Sequence, residues 1–489
     1  DSLNFATKGI YFFSNYTLAN SKEAKFNSLS AGGEINIPIG EKITYGFGNL
    51  AANLMITTAN GFITYFYTDV VGLTISVVGS ILLFARVFDG ITDILMGVVV
   101  DRTSTVKGKA RPWIKRMIIP YALALILLFT SPSFLPQEMK AFYAFATYVI
   151  ALAGVYTMTM VPYNTMLGTT TSDSKERGFL STSRTIFGFL GAFLVNGIVL
   201  KVVGMFGEVT EVSSWTKMAA VFALVSVVLL TILYKNSKER VLETNEAYVA
   251  EQVEKVPVMD NVKALFKNKY WIIMISTMLI GFISAGLGGI NIYYAQYILG
   301  DIEKVAVIGM LSFAPIIVGS FFTPIIMAKM SKRNAMILGN LIVILGTVIL
   351  ALFPENYDLI KVGLIVRGLG LAPTAVASYA MLGDVADYGE WKTGIRSDGL
   401  IFSAGTFGEK VGSGLGGLLI GIVMSIGGYV AGAAVQTPGT IFAIKALFAY
   451  IPILLGVISI VLMFFYDLDK KLPEIVKNLQ ERSQGLSKQ

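Results

Sequence analysis

A chain of 489 residues that is 54% hydrophobic and only 15% charged, with a mean hydropathy of +0.67, is too apolar for a soluble domain, where about a quarter of residues are charged. The net charge of +7 is spread over short connections and not gathered in one patch, which favours membrane topology over nucleic-acid binding, and no nucleic-acid partner is expected. Cysteine and histidine are both absent, so disulfides, thiolate metal sites, the usual general base and the near-neutral proton carrier are excluded. Without them no nucleophile–base pair is visible, and neither an enzyme nor a cofactor is expected.

In chain order, residues 1–40 are polar and turn-rich, lack the pattern of a signal peptide, and are expected to form a disordered tail. Apolar stretches of about twenty residues, each able to span roughly 30 Å of hydrocarbon, then recur about twelve times. They fall near 44–68, 73–100, 114–135, 139–166, 178–205 and 215–235, and near 270–298, 304–330, 334–353, 358–384, 397–428 and 441–466. The mixed-charge stretch at 236–269 divides them six and six. The expected organisation is an all-α polytopic membrane protein with a six-helix bundle over 41–235, a central loop over 236–269, a second bundle over 270–468 and a tail over 469–489. Two such bundles related by an axis along the membrane normal form the major-facilitator arrangement, with solute bound between them. The connection DRTSTVKGKARPWIKR, the stretch around Lys332 and Arg333, residues 392–396 and the tail from Lys470 are basic, whereas YTDVVG and GGYVAGAAVQTPGT are bare of lysine and arginine. Charge bias therefore places both termini and the central loop in the cytoplasm, and one chain with two bundles is expected to work as a monomer in the bilayer.

The second span reads ARVFDGITDILMG. Arg86, Asp89 and Asp93 are spaced i, i+3, i+7 and share one helical face. Each would cost about 3 kcal/mol or more facing lipid at the helix centre, so they must face the bundle interior, where Arg86 partly neutralises the aspartates. Two carboxylates one turn apart, with the Thr92 hydroxyl nearby, offer hard oxygen ligands suited to Na+, or to a proton if burial raises one aspartate. In SAGTFGEKVGSGLGG, Thr406 and Lys410 share a face at i, i+4, and Lys410 is expected to reach from the second half toward Asp89 and Asp93. Glu409 points about 100° away, toward a different contact. Arg184 lies deep enough in the fifth span to face a cavity, and Arg367 in the tenth is similar but has no evident partner. Asp384, Asp387 and Arg396, with Glu176 and Arg177, sit at basic helix ends; they are either solvated charge or a gate of ion pairs. Tyr156 and Tyr163 offer a ring plus a hydroxyl, which suits sugar binding as well as interfacial anchoring.

ITYGFGNL, YFYTDVVGLT, ARVFDGITDILMG followed by DRTSTVKGKARPW, and GDVADYGEWKTGIRSDGL resemble the glycoside–pentoside–hexuronide:cation symporters, a major-facilitator family with melibiose permease-like and glucuronide carrier-like branches. The similarity runs from about residue 41 to 475. It implies a Na+- or H+-coupled importer of a sugar, with Asp89, Asp93 and Thr157 in the cation site and Thr92 where the family carries an asparagine. It further implies that Lys410 and Thr406 lie near both sites, that Arg184 binds the sugar, and that Arg177, Asp384, Asp387 and Arg396 form a cytoplasmic gate.

The departures fall on the sugar side. The family's two sugar-binding aspartates are here Asn53 and Met160, and its stacking tryptophan is Asn164. Asn53, Asn164, Tyr163 and Arg184 are thus the residues expected to set what is carried. Losing two carboxylates while keeping Arg184 and Lys410 leans toward an acidic sugar. An exporter of another solute, or a sugar sensor that moves nothing, are the competing expectations.

Overall fold

The computed structural model describes residues 37–103, 105, 107–171, 173–240, 265–394 and 398–486. Residues 1–36 of the expected tail, residues 241–264 of the central loop and the gate candidate Arg396 lie outside the described residues.

Twelve long helical segments follow one another among the described residues between 39 and 464. The first, α1, occupies residues 39–70 in two pieces, Ile39–Tyr45 and Phe47–Tyr65, and closes in a widened π turn, Phe66–Val70. It starts before the apolar run because polar partners hold its first turn. Glu41 is buried against Arg240, 2.6 Å away, and Lys42 pairs with Glu176 at 2.9 Å. Then come α2 (Ile75–Asp101), α3 (Arg111–Leu128), α4 (Gln137–Thr170), α5 (Ser174–Gly204) and α6 (Val212–Asn236). The second set comprises α7 (Lys269–Tyr297), α8 (Val305–Lys329), α9 (Lys332–Leu352), α10 (Tyr357–Thr393), α11 (Asp398–Ile426) and α12 (Pro438–Phe464). Ten of the twelve are long and apolar enough to cross a membrane by length and composition alone. The other two are α1, whose middle carries Asn49, Asn53, Thr57, Asn60 and Thr64, and α3, which opens with Arg111, Lys115 and Arg116. Both fall short because of these polar residues, several of which meet protein partners: Asn49 donates to the Arg184 carbonyl, Asn60 accepts from Arg86, and Arg111 donates to the Tyr234 carbonyl.

Side-chain caps start several helices. Asp173 accepts from the backbone N–H groups of Lys175 and Glu176 at the start of α5. Asn268 and Asn356 do the same for α7 and α10, satisfying donors that have no partner within the helix. The tail does not stay irregular: Leu468–Leu486 forms α13, which buries Leu468 and Ile475 against Tyr270, Val385 and Met463. Beside it, Asp467 accepts from Lys471 Nζ (2.7 Å) and Tyr270 Oη (2.6 Å), which hold its carboxyl well below the usual carboxylate range.

Within the first set, α1 packs on α5 and α6, α3 on α6, and α2 on α4; within the second, α10 packs on α8 and α9, and α7 on α11. The two bundles touch along three pairs, α2 with α11, α5 with α8 and α1 with α7. Glycine makes the α2–α11 approach possible. A Cβ on Gly79 would sit 3.0 Å from the Gly421 Cα, one on Gly417 2.8 Å from Leu82 Cδ1, and one on Gly414 2.9 Å from Arg86 Cβ. These contacts, and those of Gly309 with Asn196 and Gly289 with Thr64, lie toward the helix ends remote from the basic connections. The bundles therefore close together at that end. Nearer the basic end, Asn164, Tyr379, Thr406 and Glu409 on α4, α10 and α11 are exposed, as expected of a central cavity open toward the basic face.

Candidate functional site

The charged face of α2 turns inward. Arg86 is 7% and Asp89 1% exposed, and Asp93, one turn on, is half-buried. Both carboxylates meet the Thr157 hydroxyl, which lies 2.9 Å from Asp89 Oδ1 and 2.9 Å from Asp93 Oδ1. A π-helical stretch, Val149–Tyr156, immediately precedes Thr157. Its wider turn shifts the register of α4, so that Thr157 Oγ1 also lies 3.4 Å from the Leu152 carbonyl five residues back. Such single π insertions inside α-helices recur at functional sites.

Lys410 completes the cluster from α11 of the second bundle. Its Nζ is 2.7 Å from Asp89 Oδ1 and 2.6 Å from Asp93 Oδ2. Arg86 Nη1 stands 3.5 Å from Asp89 Oδ2, and Arg86 Nη2 donates to Asn60 Oδ1 on α1. Two carboxylates, two cations and one hydroxyl thus gather from α2, α4 and α11. The pairing offsets a cost of about 3 kcal/mol or more that each charge would carry alone at the membrane centre. Thr92 stands apart: its hydroxyl donates to the Asp89 carbonyl of its own helix at 3.1 Å, so it braces the backbone while Thr157 meets the carboxylates.

The Thr157 hydroxyl carries a single hydrogen. It can donate to one aspartate only. The second 2.9 Å contact leaves the hydrogen shared between two carboxylates, and the three oxygens together form a set that a proton or a small cation can join. The arrangement can therefore exchange a proton or a small hard cation against the Lys410 ammonium.

On the sugar side the expected residues separate. Arg184 is half-buried on α5, with its guanidinium 5.8 Å from the Tyr163 ring centre. Asn53 is bound along its own helix, with Nδ2 donating to the Asn49 carbonyl (2.8 Å) and Oδ1 accepting from Thr57 (2.7 Å). Asn164 is exposed on α4, and Thr406 is exposed one turn from Lys410. Tyr163 corrects the expectation of a sugar-facing ring and hydroxyl. It is fully buried, stacked on Tyr45 at 4.9 Å between ring centres, and its hydroxyl donates to the Tyr45 carbonyl at 2.8 Å. Tyr45 returns the bond to the Tyr163 carbonyl at 3.0 Å. This pair staples α1 to α4 and supplies the floor under Arg184. Tyr379 of α10, absent from the sequence-based set, is 48% exposed and within electrostatic reach of both Arg184 and Glu409. Glu409 in turn lies within reach of Arg86 and Lys410.

At the basic end, Asp384 accepts from Lys332 Nζ at 2.6 and 2.7 Å, a partner within its own bundle. Arg177 donates to the Thr171 carbonyl at 3.3 Å, also within its own bundle, and Asp387 is half-buried on α10. The opposite end carries a polar connection between the bundles that the sequence reading missed. Asp69, in the turn that closes α1, accepts from Tyr429 Oη (2.6 Å) and from the Gly432 N–H (3.1 Å) of the α11–α12 connection. Thr68 Oγ1 lies 2.7 Å from Tyr293 Oη on α7.

The comparisons agree with this architecture. The family described as MFS/sugar transport protein matches residues 44–470. The isoprimeverose transporter of Lactiplantibacillus pentosus is 32% identical over 451 residues, 91% of this chain and 92% of that protein. The uncharacterized symporter YnaJ of Bacillus subtilis is 30% identical over 448 residues, 90% of this chain and 95% of the relative. Among solved structures, a D-xylose-proton symporter superposes with a TM-score of 0.65 at 14% identity, covering 88% of this chain and 97% of that one. The nucleoside transporter NupG gives 0.60 at 16% identity, covering 88% of this chain and 99% of that one. Those two likenesses concern the fold. With twelve helices in two bundles and a charged cluster at their seam, the chain belongs to the MFS/sugar transport family, in the group resembling the glycoside–pentoside–hexuronide symporters.

Proposed function

We propose that this protein is a cation-coupled symporter that imports a neutral glycoside, working as a monomer with its basic end in the cytoplasm. The observation that carries the coupling is the Thr157 hydroxyl, 2.9 Å from both Asp89 and Asp93, three oxygens from two helices that a proton or a small cation can share. In the state described, the Lys410 ammonium fills that role from the other bundle. A Na+ ion or a proton arriving at Asp89 and Asp93 displaces it, and Lys410 is then free to meet the solute beside Thr406. Cation and solute thereby favour the same state, and each raises the affinity for the other by the same factor.

The polar residues around the cavity support a neutral solute in preference to the acidic sugar suggested by the loss of two aspartates. Arg184, Arg86 and Lys410 are opposed by Asp89, Asp93 and Glu409, with Tyr379 reached by charges of both signs. A uronide carboxylate would add an uncompensated charge. A relative at 32% identity is named for a disaccharide, isoprimeverose, which fits this reading. The alternation of access follows from the seam: the Asp69–Tyr429 and Thr68–Tyr293 contacts close the outer end while the cavity faces the cytoplasm, and rocking of one bundle on the other exchanges the two.

The test is uptake into proteoliposomes of labelled isoprimeverose, xylose and a glucuronide under separate Na+ and H+ gradients. Accumulation of a neutral glycoside driven by one gradient is expected. Gradient-independent equilibration of every sugar overturns the coupling, and accumulation of the glucuronide alone overturns the substrate class.

A further inference from the structure

The polar residues of α1 lie at 49, 53, 57, 60 and 64, a spacing of i, i+4, i+8, i+11 and i+15 that keeps them on one face. Along this stripe, most amide groups are consumed by backbone or by each other. Asn49 Nδ2 donates to the Arg184 carbonyl at 2.9 Å, and Asn53 is bound at both ends of its amide. Asn60 is different. Its oxygen accepts from Arg86 Nη2, while its Nδ2 has no hydrogen-bond partner among the described residues and its side chain is exposed.

Arg86 is otherwise enclosed. Its other terminal nitrogen faces Asp89, and its stem lies against Gly414 of α11. Asn60, Thr64, Arg86, Tyr148 and Ser413 line a small cavity of about 20 Å³ at the seam between the bundles, room for about one water molecule. Asn60 therefore has one atom on the cation cluster and another free. Asn53 lies seven residues back along the same face, about 10.5 Å away along the helix axis, a separation that two linked sugar rings can bridge.

Building on the symport reading above, we infer that Asn60 is the positioning residue through which the solute site reads the cation site. Its carbonyl oxygen holds Arg86 between itself and Asp89. A proton or small cation held directly by Asp89 neutralises it more fully than the Lys410 ammonium it displaces, which is shared with Asp93, so the pull on the guanidinium falls, Arg86 settles on Asn60 Oδ1 and the plane of the amide is fixed. The free N–H groups are then aimed at a hydroxyl or ring oxygen of the glycoside. With Lys410 in place the guanidinium is shared between Asn60 and Asp89, the amide is less firmly held, and the solute finds a less ordered donor. The link needs no motion of the bundles, only competition for one guanidinium between Asn60 and Asp89, with the Tyr148 hydroxyl beside it.

The experiment measures equilibrium binding of labelled isoprimeverose, xylose and a glucuronide to the purified full chain, with and without saturating Na+ and across an acid pH series. It is repeated for Asn60→Ala and Asn60→Ser, and the cation-induced rise in Tm is recorded for each protein. In the wild type, the cation is expected to tighten sugar binding by about 5- to 150-fold. In Asn60→Ala that factor falls to within about twofold of unity, while the rise in Tm stays at the wild-type value, because the cation ligands are intact. Asn60→Ser, whose hydroxyl can both accept from Arg86 and donate to a sugar, recovers part of the factor. A wild-type coupling factor in Asn60→Ala overturns the inference, as does loss of the Tm response, which would make Asn60 a support of the cation site alone. A wild type whose sugar binding ignores both cations overturns the symport reading itself, and is told apart by appearing before any substitution is made.

Discussion

Lys410 Nζ on α11 lies 2.6 Å from Asp93 Oδ2 on α2, so the ammonium of one bundle sits among the carboxylates of the other. The same nitrogen reaches Asp89 Oδ1 at 2.7 Å. A positive charge in that place does what a coupling cation would do, and it is tethered to the half of the protein that must move. Binding of a mobile cation and movement of the bundle are then one competition for two aspartates.

This competition predicts the behaviour of Lys410→Gln. Removing one member of a buried ion cluster while leaving the opposite charges costs about 3–5 kcal/mol. In cation-free buffer the variant should melt lower than the wild type and show no accumulation of sugar. Added Na+, or acid if the proton is the coupling ion, should restore most of the lost Tm by taking the vacated place. A melting curve that ignores both would show that the aspartates do not hold a mobile cation.

Thr157 separates the hydroxyl from the carboxylates. Thr157→Val keeps the shape but removes the atom that both aspartates address, a loss of about 1–3 kcal/mol for a buried polar contact left unmade. Cation affinity should fall by about 5- to 150-fold on the conversion of 1.4 kcal/mol per decade, with sugar exchange at equal concentrations preserved. Thr157→Ser should behave as the wild type. Equal cation affinity in the valine and serine variants, read from cation-dependent Tm, would remove Thr157 from the site.

What could be read from the sequence was whatever obeys a fixed helical period. The inward face of Arg86, Asp89 and Asp93 follows from a spacing of i, i+3, i+7, and the twelve segments follow from runs of apolar residues long enough to cross hydrocarbon. Lys410 was legible because a lysine in mid-span needs a partner, and the nearest excess of negative charge was on α2. Thr157 was reached only by resemblance, since the π turn at Val149–Tyr156 has no marker in its apolar sequence. Tyr163 misled because a tyrosine beside a cavity looks the same on paper whether its hydroxyl meets a sugar or, as here, the Tyr45 carbonyl. The stripe of Asn49, Asn53, Thr57, Asn60 and Thr64 does carry a signal, the same period as α2. It is hidden by the low polarity of each residue on its own. The Asp69–Tyr429 contact joins segments 360 residues apart, a distance over which spacing says nothing.

That contact predicts a latch. Tyr429→Phe removes the phenol from Asp69, leaving Thr68 Oγ1 and the Gly432 N–H as donors, and loss of a hydrogen bond to a charged group is worth about 1.5–3 kcal/mol. The population closed at this end should drop about 10- to 100-fold relative to the open one, at 1.4 kcal/mol per decade. These 489 residues contain no cysteine, so a single Thr64→Cys, at a position 3% exposed in this state, reports the opening cleanly. Labelling by a membrane-impermeant maleimide from outside should accelerate when Tyr429→Phe is added. Unchanged labelling would place the closure of this end elsewhere, in the glycine contacts of α2 and α11.

Those glycine contacts carry their own expectation. Gly414 faces the Arg86 stem, where a Cβ would come within 2.9 Å of Arg86 Cβ, and Lys410 is one turn away on the same helix. Gly414→Val must push α11 from α2 at a cost of about 1–3 kcal/mol for overpacking. The displacement should lengthen the Lys410 contacts with Asp89 and Asp93, because all three residues are set by the same interhelical distance. The expected result is a lower Tm in cation-free buffer together with a larger stabilisation by the coupling cation than in the wild type, since the internal competitor has been withdrawn. Gly97→Val on the same α2 helix, where a Cβ meets nothing within 4 Å, is the control and should leave both quantities unchanged. If Gly414→Val lowers Tm without enlarging the cation response, the seam holds the bundles together but does not set the reach of Lys410.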